Sequence, residues 1–424
     1  MKKLKAEIWD KVQFIFRNYY DRMVHGAMYF NGTIDINLLR KSLFHIVKKY
    51  PVLRSSFKSS PINPYWKVND DINEGEMVKH VICEDLQKSV CEALSKEIDY
   101  KAKLQFEVVL HYSQNKSAIS VIVNHMCMDG ADFKYFFGKI AEGYNLLVDG
   151  KNIEELELKD GTRCYKQLYK DMTEEEAQKA KGLYVNVSRT GIKSKFAFSD
   201  ETNCTTRFNF EKFTADELTR MKAKGKEVNA TINDILITAF ARAISKQLVS
   251  KDGRLAITNM KNLRHNIKSG QSENMTNLTG FMPCVLEHVN GSFEEVLSEV
   301  CRITAKAKDD KYCGLYGLPL MALAFRLFPF SIAELAIKIG YENPLIGMSN
   351  IGIISEEITN YKGVECYDAF MTGATKFKPY IQLTSTTFKG APTLCIAQKC
   401  GEEDDKRIKQ LLADTRKELV GFLG

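Results

Sequence analysis

Hydrophobic and polar positions in the first part of the chain alternate between the patterns of strands and of helices. Residues 23–30 form an apolar run that ends in an Asn-Gly pair, which predicts a strand followed by a turn. Asp35 can then cap a helix, because apolar residues recur at helical spacing over residues 36–47. Pro51 ends this helix, and residues 52–57 predict the next strand.

A second pair of predicted strands leads directly into His125. Residues 106–111 and 118–123 predict two strands joined by a polar turn, and the second strand runs into His125. A helix with aromatic residues on one side begins near Asp132. His125 therefore lies where a rigid strand gives way to a loop, a position at which ligand-facing residues concentrate.

The second half of the chain has a similar mixture of helix and strand patterns. Residues 150–203 are charged and weakly periodic, which predicts a crossover between two halves. Thr214 and Thr231 each open a predicted helix with a capping signature, and a last helix covers about residues 404–422. Strands are predicted near residues 255–260, 278–287, 345–351, 366–371, 380–388 and 393–398.

The length and composition of the chain predict how these elements are divided into domains. At 424 residues the chain is too long for one ordinary core, so two domains are expected. We place an N-terminal subdomain at 1–165, a crossover linker at 166–203 and a C-terminal subdomain at 204–424. The fold class is α/β (α+β), and 44% hydrophobic with 27% charged residues is typical of a globular protein.

Cysteine usage and charge exclude several functional classes. The 11 cysteines are an odd number with no C-x-x-C pair, which argues against a disulfide framework and against a metal site. Reduced thiols and the absence of a secretory pattern favour a cytoplasmic protein. The net charge of +7 suits a phosphate-bearing cofactor or an acidic carrier protein and does not require nucleic acid.

The most apolar stretch of the chain runs over residues 315–339. Arg326, Pro329, Glu334 and Lys338 interrupt it, so no run reaches the ~18 residues of a transmembrane segment. We expect a pair of buried or tunnel-lining helices here, with contact at a membrane surface as the alternative.

His125 and Asp129 form the sharpest chemical signal, an H-x-x-x-D pattern followed by Gly130. Acyl transfer needs a base that accepts a proton from a hydroxyl or an amine near neutral pH, and histidine suits this work. Asp129 could hold the imidazole ring or the loop that carries it. Cys127 lies between the two residues and is expected to be a core residue and not a thiol nucleophile.

Seven short segments, in order along the chain, resemble the landmarks of the condensation-domain superfamily. This superfamily includes peptide condensation domains, alcohol acetyltransferases, wax ester synthases and the chloramphenicol acetyltransferase fold. The segments are residues 32–35, 50–57, 125–130, 231–234, 262–264, 277–280 and 349–352. The resemblance covers essentially the whole chain and implies two chloramphenicol-acetyltransferase-like subdomains in a pseudo-dimeric arrangement, with a tunnel between them and His125 at its middle.

The resemblance also implies roles for individual residues. His125 would be the general base, and Asp129 would point away from the substrate and pair with Arg264 to hold the loop. Gly130 would let the backbone approach the tetrahedral intermediate and help to stabilise the oxyanion. Asn350 and Thr384 are candidates to contact the substrate or the oxyanion.

Two departures from the family patterns narrow the expected function. Asn124, a third candidate substrate or oxyanion contact, stands where many peptide condensation domains carry a second histidine. The D-F-G-W-G string of the plant acyltransferases is absent from the sequence. These departures favour a standalone acyltransferase of the alcohol acetyltransferase type.

The expected reaction is therefore acyl transfer from an acyl-CoA, used as a co-substrate, to a small-molecule alcohol or amine. One alternative is a standalone condensation domain whose acyl group is carried on the phosphopantetheine of a carrier protein. A second alternative is a non-catalytic binding relative that has kept the fold. We expect a monomer, because the two halves already supply both walls of the site.

Overall fold

The structure is a computed structural model that describes residues 2–181, 192, 194–250, 252–315, 317–340 and 344–424. The strands within these residues are β1 (Lys3–Lys5), β2 (Met23–Asn31), β3 (Ser55–Lys58), β4 (Tyr65–Val68), β5 (Lys79–Ile82), β6 (Phe106–Ser113), β7 (Lys116–Asn124), β8 (Thr205–Lys212), β9 (Leu255–Asn262), β10 (Thr279–Leu286), β11 (Ile346–Ile354), β12 (Glu365–Thr372), β13 (Lys376–Phe377), β14 (Ile381–Phe388) and β15 (Ala391–Cys400).

The α-helices alternate with these strands along the chain. They are α1 (Ile8–Ile15), α2 (Ile36–Lys49), α3 (Leu86–Leu94), α4 (Gly130–Val148), α5 (Glu174–Lys181), α6 (Ala215–Glu227), α7 (Ile232–Ser245), α8 (Phe293–Asp309), α9 (Gly317–Leu327), α10 (Phe330–Gly340), α11 (Glu356–Thr359) and α12 (Glu402–Leu423).

A five-stranded sheet in the order β12-β2-β7-β6-β5 forms the frame of the N-terminal half. Strands β2, β7 and β6 pair antiparallel, whereas β5 pairs parallel with β6. Helix α4 lies very close to this sheet, since a Cβ atom at Gly26 would come within 2.9 Å of the Phe137 ring. A side chain at position 26 would force the Phe137 ring to move, so glycine lets the first half of α4 pack closely against β2.

The C-terminal half is built on a seven-stranded sheet. Its path is β10-β9-β11-β14-β15-β13, with β8 paired to β15 beside that path. Helix α7 packs between α8 and α12 and contributes a nearly continuous set of buried side chains to the second hydrophobic core. A small three-stranded sheet, β1-β4-β3, completes the N-terminal half.

One strand of the C-terminal segment lies in the N-terminal sheet. Strand β12 pairs antiparallel with β2, with Thr372 opposite His25 and Glu365 opposite Asn31. Its side chains Cys366, Ala369 and Met371 belong to the N-terminal hydrophobic core. The predicted boundaries at 165 and 203 therefore divide the sequence and not the folded molecule, because a strand from the C-terminal segment completes the N-terminal sheet.

The helix starts predicted from capping residues are confirmed. Asp35 accepts a hydrogen bond from Asn37 N at 2.7 Å at the start of α2. Thr214 and Thr231 cap α6 and α7, each in a reciprocal capping box. These side chains satisfy backbone N–H groups that the first helical turn leaves without a partner.

The predicted strands of both halves are present, with one shift. Residues 52–57 were expected to form a strand, but Pro51–Arg54 forms a 3₁₀ turn and β3 begins only at Ser55. The proline at the first position favours this turn because its φ angle is already helical. Five strands and five helices were not predicted, namely β1, β4, β5, β8 and β13 and α1, α3, α5, α8 and α11.

The expectation of two buried or tunnel-lining helices over residues 315–339 is correct for the two helices and wrong for their surroundings. Two helices, α9 and α10, are present, but several of their large apolar side chains are exposed and none lines the central cavity. The helices are amphipathic, and their inner faces pack around Leu318, Phe330 and Ala333 while their outer faces remain open. Periodicity alone could not distinguish an exposed apolar face from a buried one.

The remaining sequence expectations concern cysteines, metals and membrane spans. All 11 cysteines are unpaired. Over the described residues, the helices fall short of the length and apolarity needed to cross a bilayer. The same residues contain no group of three or more histidine, cysteine, aspartate or glutamate side chains that could hold a metal ion.

Candidate active site

His125 is held at the point where strand β7 ends. Asn124 is the last residue of β7 and pairs with Met23 across the sheet. The backbone N–H of His125 then donates to the carbonyl of Arg22 at 2.7 Å, so the ladder continues for one more residue. The imidazole is thus presented by a backbone that the central sheet keeps rigid.

Asp129 caps helix α4 and fixes the loop that carries His125. Its Oδ1 accepts from the N–H groups of Ala131 and Asp132 at 3.1 and 3.2 Å. Its Oδ2 accepts from Arg264 Nη1 at 2.8 Å and from the N–H of Leu278 at 2.7 Å. Both carboxylate oxygens are therefore used by the scaffold, and the predicted ion pair with Arg264 is present.

The charge of Arg264 is balanced by two buried carboxylates. Its second amino group donates to Asp132 Oδ2 at 2.8 Å, and Lys159 Nζ donates to Asp132 Oδ1 at 2.9 Å. Burial raises the pKa of Asp129, but the guanidinium charge and the hydrogen bonds outweigh burial and hold that pKa below its usual value. Asp132 is a member of this network that sequence reasoning placed only as a helix residue.

Asn277, and not Asp129, orients the imidazole ring. Its Nδ2 donates to the backbone carbonyl of His125 at 2.7 Å, which fixes the orientation of the amide. Its Oδ1 then lies 2.9 Å from His125 Nδ1 and can only accept a proton from it. The ring nitrogen Nδ1 therefore carries the hydrogen, and Nε2 keeps a lone pair available for a ligand.

Burial lowers the pKa of His125 below its ordinary value, with Asp129 and Asn277 acting in the opposite direction and Lys376 adding to the decrease. A lowered pKa keeps the imidazole neutral at pH 7. The site therefore holds a neutral imidazole in one tautomer, which is the form that a general base requires.

A cavity of about 230 Å³ lies beside His125, between the two halves. The N-terminal half contributes aromatic residues of α1 and the following turn together with the start of α4, and the C-terminal half contributes strands β9, β10, β11 and β13. The principal lining residues are Trp9, Phe16, Tyr19, Tyr20, His125, Gly130, Lys134, Lys261, Asn277, Phe281, Ser349, Asn350, Lys376 and Tyr380.

Two of the predicted contact residues reach this cavity. Gly130 is the first residue of α4, where backbone N–H groups lack helical partners. A Cβ atom at Gly130 would lie 3.6 Å from Ile351, an ordinary contact, so close packing does not by itself require glycine here. Asn350 lines the cavity from a bulge in β11, where its Oδ1 accepts from the N–H of Gly352 at 3.0 Å.

The other two predicted contact residues lie elsewhere. Thr384 is buried within the C-terminal sheet, where its hydroxyl donates to the carbonyl of Cys395 at 2.9 Å and lies 2.8 Å from the Thr372 hydroxyl. Asn124 is buried, donates to Gln105 Oε1 at 2.8 Å and accepts from the N–H of Met126 at 3.0 Å. Neither lines the cavity, so both hold the scaffold in this structure.

Sequence reasoning missed the remaining polar groups of the cavity. Asn277 was noted only as part of a family-like segment. Lys376 belongs to no motif or periodic pattern in the sequence, so nothing indicated that it lines the site. Cys127 is fully buried, and burial raises the pKa of its thiol, so it lacks the thiolate character of a nucleophile.

A comparison with protein families identifies the chain. The family described as Condensation domain matches residues 19–319, which is well over half of the sequence. The chain therefore belongs to the condensation-domain family, as the resemblance in the sequence indicated.

A curated relative and two solved structures agree with this assignment. Bacitracin synthase 3 of Bacillus licheniformis is 24% identical over 240 residues, which is 53% of this chain but only 4% of the synthase. The epimerization domain from the third module of tyrocidine synthetase B is 15% identical, with a TM-score of 0.69 over 100% of this chain and 96% of that domain. Trichothecene 15-O-acetyltransferase from Fusarium sporotrichioides is 12% identical, with a TM-score of 0.71 over 98% of this chain and 95% of that enzyme.

At these identities the structural similarity establishes the fold. The expected fold class is confirmed: the molecule consists of two chloramphenicol-acetyltransferase-like halves in a pseudo-dimeric arrangement. This member of the condensation-domain family therefore shares its fold with both an epimerization domain and an acetyltransferase.

Proposed function

We propose that this chain transfers an acyl group from an acyl-CoA thioester to a small-molecule alcohol or amine, with His125 as the general base. The observation that carries the proposal is the His125 ring, held through Nδ1 by Asn277 and placed at a cavity between the two halves. Base catalysis needs an unprotonated ring nitrogen near the acceptor. Asn277 binds Nδ1, so Nε2 is the nitrogen that remains available to accept a proton.

The proposed reaction proceeds by direct attack. His125 Nε2 accepts the proton of the acceptor hydroxyl or amine while the acceptor attacks the thioester carbonyl carbon. The resulting tetrahedral oxyanion collapses, the carbon–sulfur bond breaks, and the imidazolium returns its proton to the leaving thiolate. The N–H of Gly130 is the candidate to stabilise the oxyanion, because those of Ala131 and Asp132 already donate to Asp129 Oδ1.

A covalent intermediate on the protein is not part of this proposal. Cys127 is the cysteine nearest to His125 in the sequence, but its thiol is buried and points to the carbonyl of Val52, with Sγ 3.8 Å from that oxygen. The raised pKa of this thiol supports direct transfer over an acyl-enzyme on Cys127.

The test is replacement of His125 by Ala with acyl transfer measured by release of free CoA. We expect a loss of about 100-fold or more, because a positioned base contributes that much. His80→Ala is the matched control, since His80 is exposed on β5, outside the cavity, and should keep full activity. Unchanged transfer by a folded His125→Ala protein would support the non-catalytic binding alternative.

A second candidate function uses a carrier protein in place of CoA. The family assignment and the similarity to a segment of bacitracin synthase 3 favour this candidate. Turnover of one acyl group presented on CoA and on a phosphopantetheine-bearing carrier protein distinguishes the two donors. We expect kcat/KM to be higher with the CoA thioester, and a strong preference for the carrier-bound thioester would replace the first candidate by the second.

We further infer that a single chain is sufficient for the reaction. Both walls of the cavity come from one chain, with His125 from the first half and Asn277 from the second. Activity per chain should therefore be independent of protein concentration.

A further inference from the structure

Lys376 brings a positive charge to the wall of the cavity. The residue lies on β13 and lines the cavity together with His125. Its ammonium lies 4.2 Å from the centre of the Tyr20 ring. Among the residues that the structure describes, it makes no hydrogen bond and no ion pair.

The other charged groups of the cavity are already engaged. Lys134 Nζ donates to the carbonyl of Ile351 at 2.9 Å, and Lys261 Nζ donates to the carbonyl of Ala307 at 3.4 Å. Arg264 and Asp129 neutralise each other at 2.8 Å. Within the described part of the chain, Lys376 is therefore the cavity lysine whose ammonium makes neither a hydrogen bond nor an ion pair, whereas Lys134 and Lys261 each donate to a backbone carbonyl.

Lys376 and His125 line the same cavity, so a ligand bound there can contact both side chains. Burial lowers the pKa of Lys376 to about 8, with Asp21 acting in the opposite direction, so the side chain is still mostly charged at pH 7. Its charge also lowers the pKa of His125. An anion bound to Lys376 would therefore lie near the acceptor and the thioester.

We propose that Lys376 binds a carboxylate of the substrate, so that the acceptor or the acyl chain carries this group near the reacting atoms. The inference rests on the proposed acyl transfer. An ammonium that faces the cavity with only the Tyr20 ring beside it can still form a charge-assisted hydrogen bond, and a substrate carboxylate would supply that bond throughout binding. A tetrahedral oxyanion would do so only during the chemical step.

The test compares substrates that differ only in a carboxylate. For the acceptor, the pair is leucine and leucinamide; for the donor, the pair is succinyl-CoA and butyryl-CoA. We expect Lys376→Met to lower the kcat/KM ratio of carboxylate to neutral substrate by about 10-fold or more in one of the two pairs. That pair identifies which substrate carries the anion.

Two further variants control for charge and for folding. Lys399→Met removes the same charge from the exposed face of the neighbouring strand β15, and the ratio should remain that of the wild type. Lys376→Arg keeps the charge and should retain most of the preference. An equal loss with carboxylate and neutral substrates in Lys376→Met would overturn the inference and indicate an oxyanion or structural role.

A binding measurement separates this inference from the proposed function. Trp9 lines the cavity and Trp66 is fully buried away from it, so a change in tryptophan fluorescence reports a ligand near Trp9. Titration with hexanoate and hexanamide should show tighter hexanoate binding, which Lys376→Met removes. Equal affinity for both ligands contradicts the inference, whereas activity that survives in His125→Ala contradicts the proposed function alone.

An independent observation concerns helices α9 and α10. Leu320, Leu323 and Leu327 follow helical spacing along α9 and are 42%, 39% and 62% exposed. Ile332, Leu335 and Ile339 repeat the same spacing along α10. They are 51%, 60% and 74% exposed, and Phe328 between the helices is 50% exposed. We call these seven side chains the apolar face.

Basic residues border the apolar face. A groove beside α9 is lined by six basic side chains and one acidic side chain, Glu7. The basic residues are Lys5, Lys11, Lys166, Lys170, Lys181 and Arg326. Lys11 is buried and Lys170 pairs with Glu273 at 2.9 Å, so the exposed positive charge comes mainly from the other four. Two amphipathic helices with exposed apolar stripes and flanking positive charges have the chemistry of a segment that lies in a membrane interface.

We propose that the apolar face binds to the surface of an anionic membrane. The test is sedimentation of the full chain with phosphatidylcholine vesicles that contain or lack phosphatidylserine. We expect binding that increases with phosphatidylserine and falls at least 10-fold in a Leu327→Glu, Ile339→Glu double variant. Ile82→Glu changes an apolar residue that is 86% exposed elsewhere on the surface, and it should bind like the wild type.

Two outcomes would overturn the membrane proposal. One is absence of binding to either vesicle. The other is self-association, in which the wild type forms dimers in solution that the double variant abolishes while vesicle binding stays absent.

Discussion

At the scale of single residues, the protonation of His125 is set by its neighbours more than by its own chemistry. Asn277 holds the hydrogen on Nδ1, and burial disfavours the charged imidazolium. Asp129 lies nearby, but both of its oxygens are bound by the scaffold. Asn277 therefore orients the ring, whereas Asp129 holds the loop.

The lowered pKa of His125 predicts the pH dependence of activity. A general base acts in its deprotonated form, so kcat/KM should rise with pH and reach its plateau once the imidazole is neutral. Because burial lowers the pKa, that inflection should lie below the unperturbed value of about 6.5. A profile of kcat/KM from acid to neutral pH checks this, and an inflection above pH 7 would contradict it.

Asn277 is predicted to act as a positioning residue. In Asn277→Asp a carboxylate would still accept the Nδ1 proton, but its charge would favour the imidazolium and raise the pKa of His125. The acid limb of kcat/KM should therefore move to higher pH. Asn277→Ala should lower kcat without that upward movement. If both variants only lose stability and keep the wild-type pH profile, the residue has a structural role alone.

At the scale of elements, one ion-pair network connects α4 to the segment after β9. Arg264 bridges Asp129, the N-cap of α4, and Asp132 in its first turn. All three side chains are nearly inaccessible to solvent. The network therefore joins the element that presents His125 to the half of the molecule that supplies Asn277.

Arg264→Met is predicted to destabilise the protein by about 3–5 kcal/mol, because it leaves two buried carboxylates without their common partner. Urea denaturation followed by circular dichroism measures the change. Arg254→Met is the matched control, since Arg254 pairs with Glu287 at 2.8 Å in an exposed position. Such a surface pair contributes about 0–1 kcal/mol, and similar losses in both variants would contradict the proposed importance of the buried network.

At the scale of the whole molecule, β12 links the two halves. It completes the N-terminal sheet by pairing with β2, whose first eight residues are all buried. The cavity likewise needs both halves, because each supplies one wall. Folding of the N-terminal half and formation of the site therefore depend on a strand from near the end of the chain.

This arrangement predicts that residues 1–165 do not fold stably alone. Without β12, strand β2 would become an exposed apolar edge, which favours aggregation. Expression of this fragment followed by near-ultraviolet circular dichroism should show no fixed tertiary structure. Co-expression with residues 204–424 should restore it, whereas an isolated fragment with a cooperative unfolding transition would contradict the prediction.

The local elements near the site could be predicted from the sequence, since they depend on local chemistry. The capping residues of α2, α6 and α7 satisfy N–H groups within one turn, so neighbouring residues determine these helix starts. The short strands β1 and β5 could not be predicted in this way. They consist of only three and four residues and gain their stability from pairing with distant strands.

The sequence by itself determined the position of His125 at a strand end, the capping residues and the order of the family landmarks, because each depends on residues close together in the chain. Only the tertiary structure decided that Asn277 orients the ring, that Lys376 enters the cavity, that Thr384 and Asn124 do not, and that α9 and α10 expose their apolar faces. Those outcomes depend on which distant segments pack together, and the pattern of apolar and polar residues along a chain does not specify that partner.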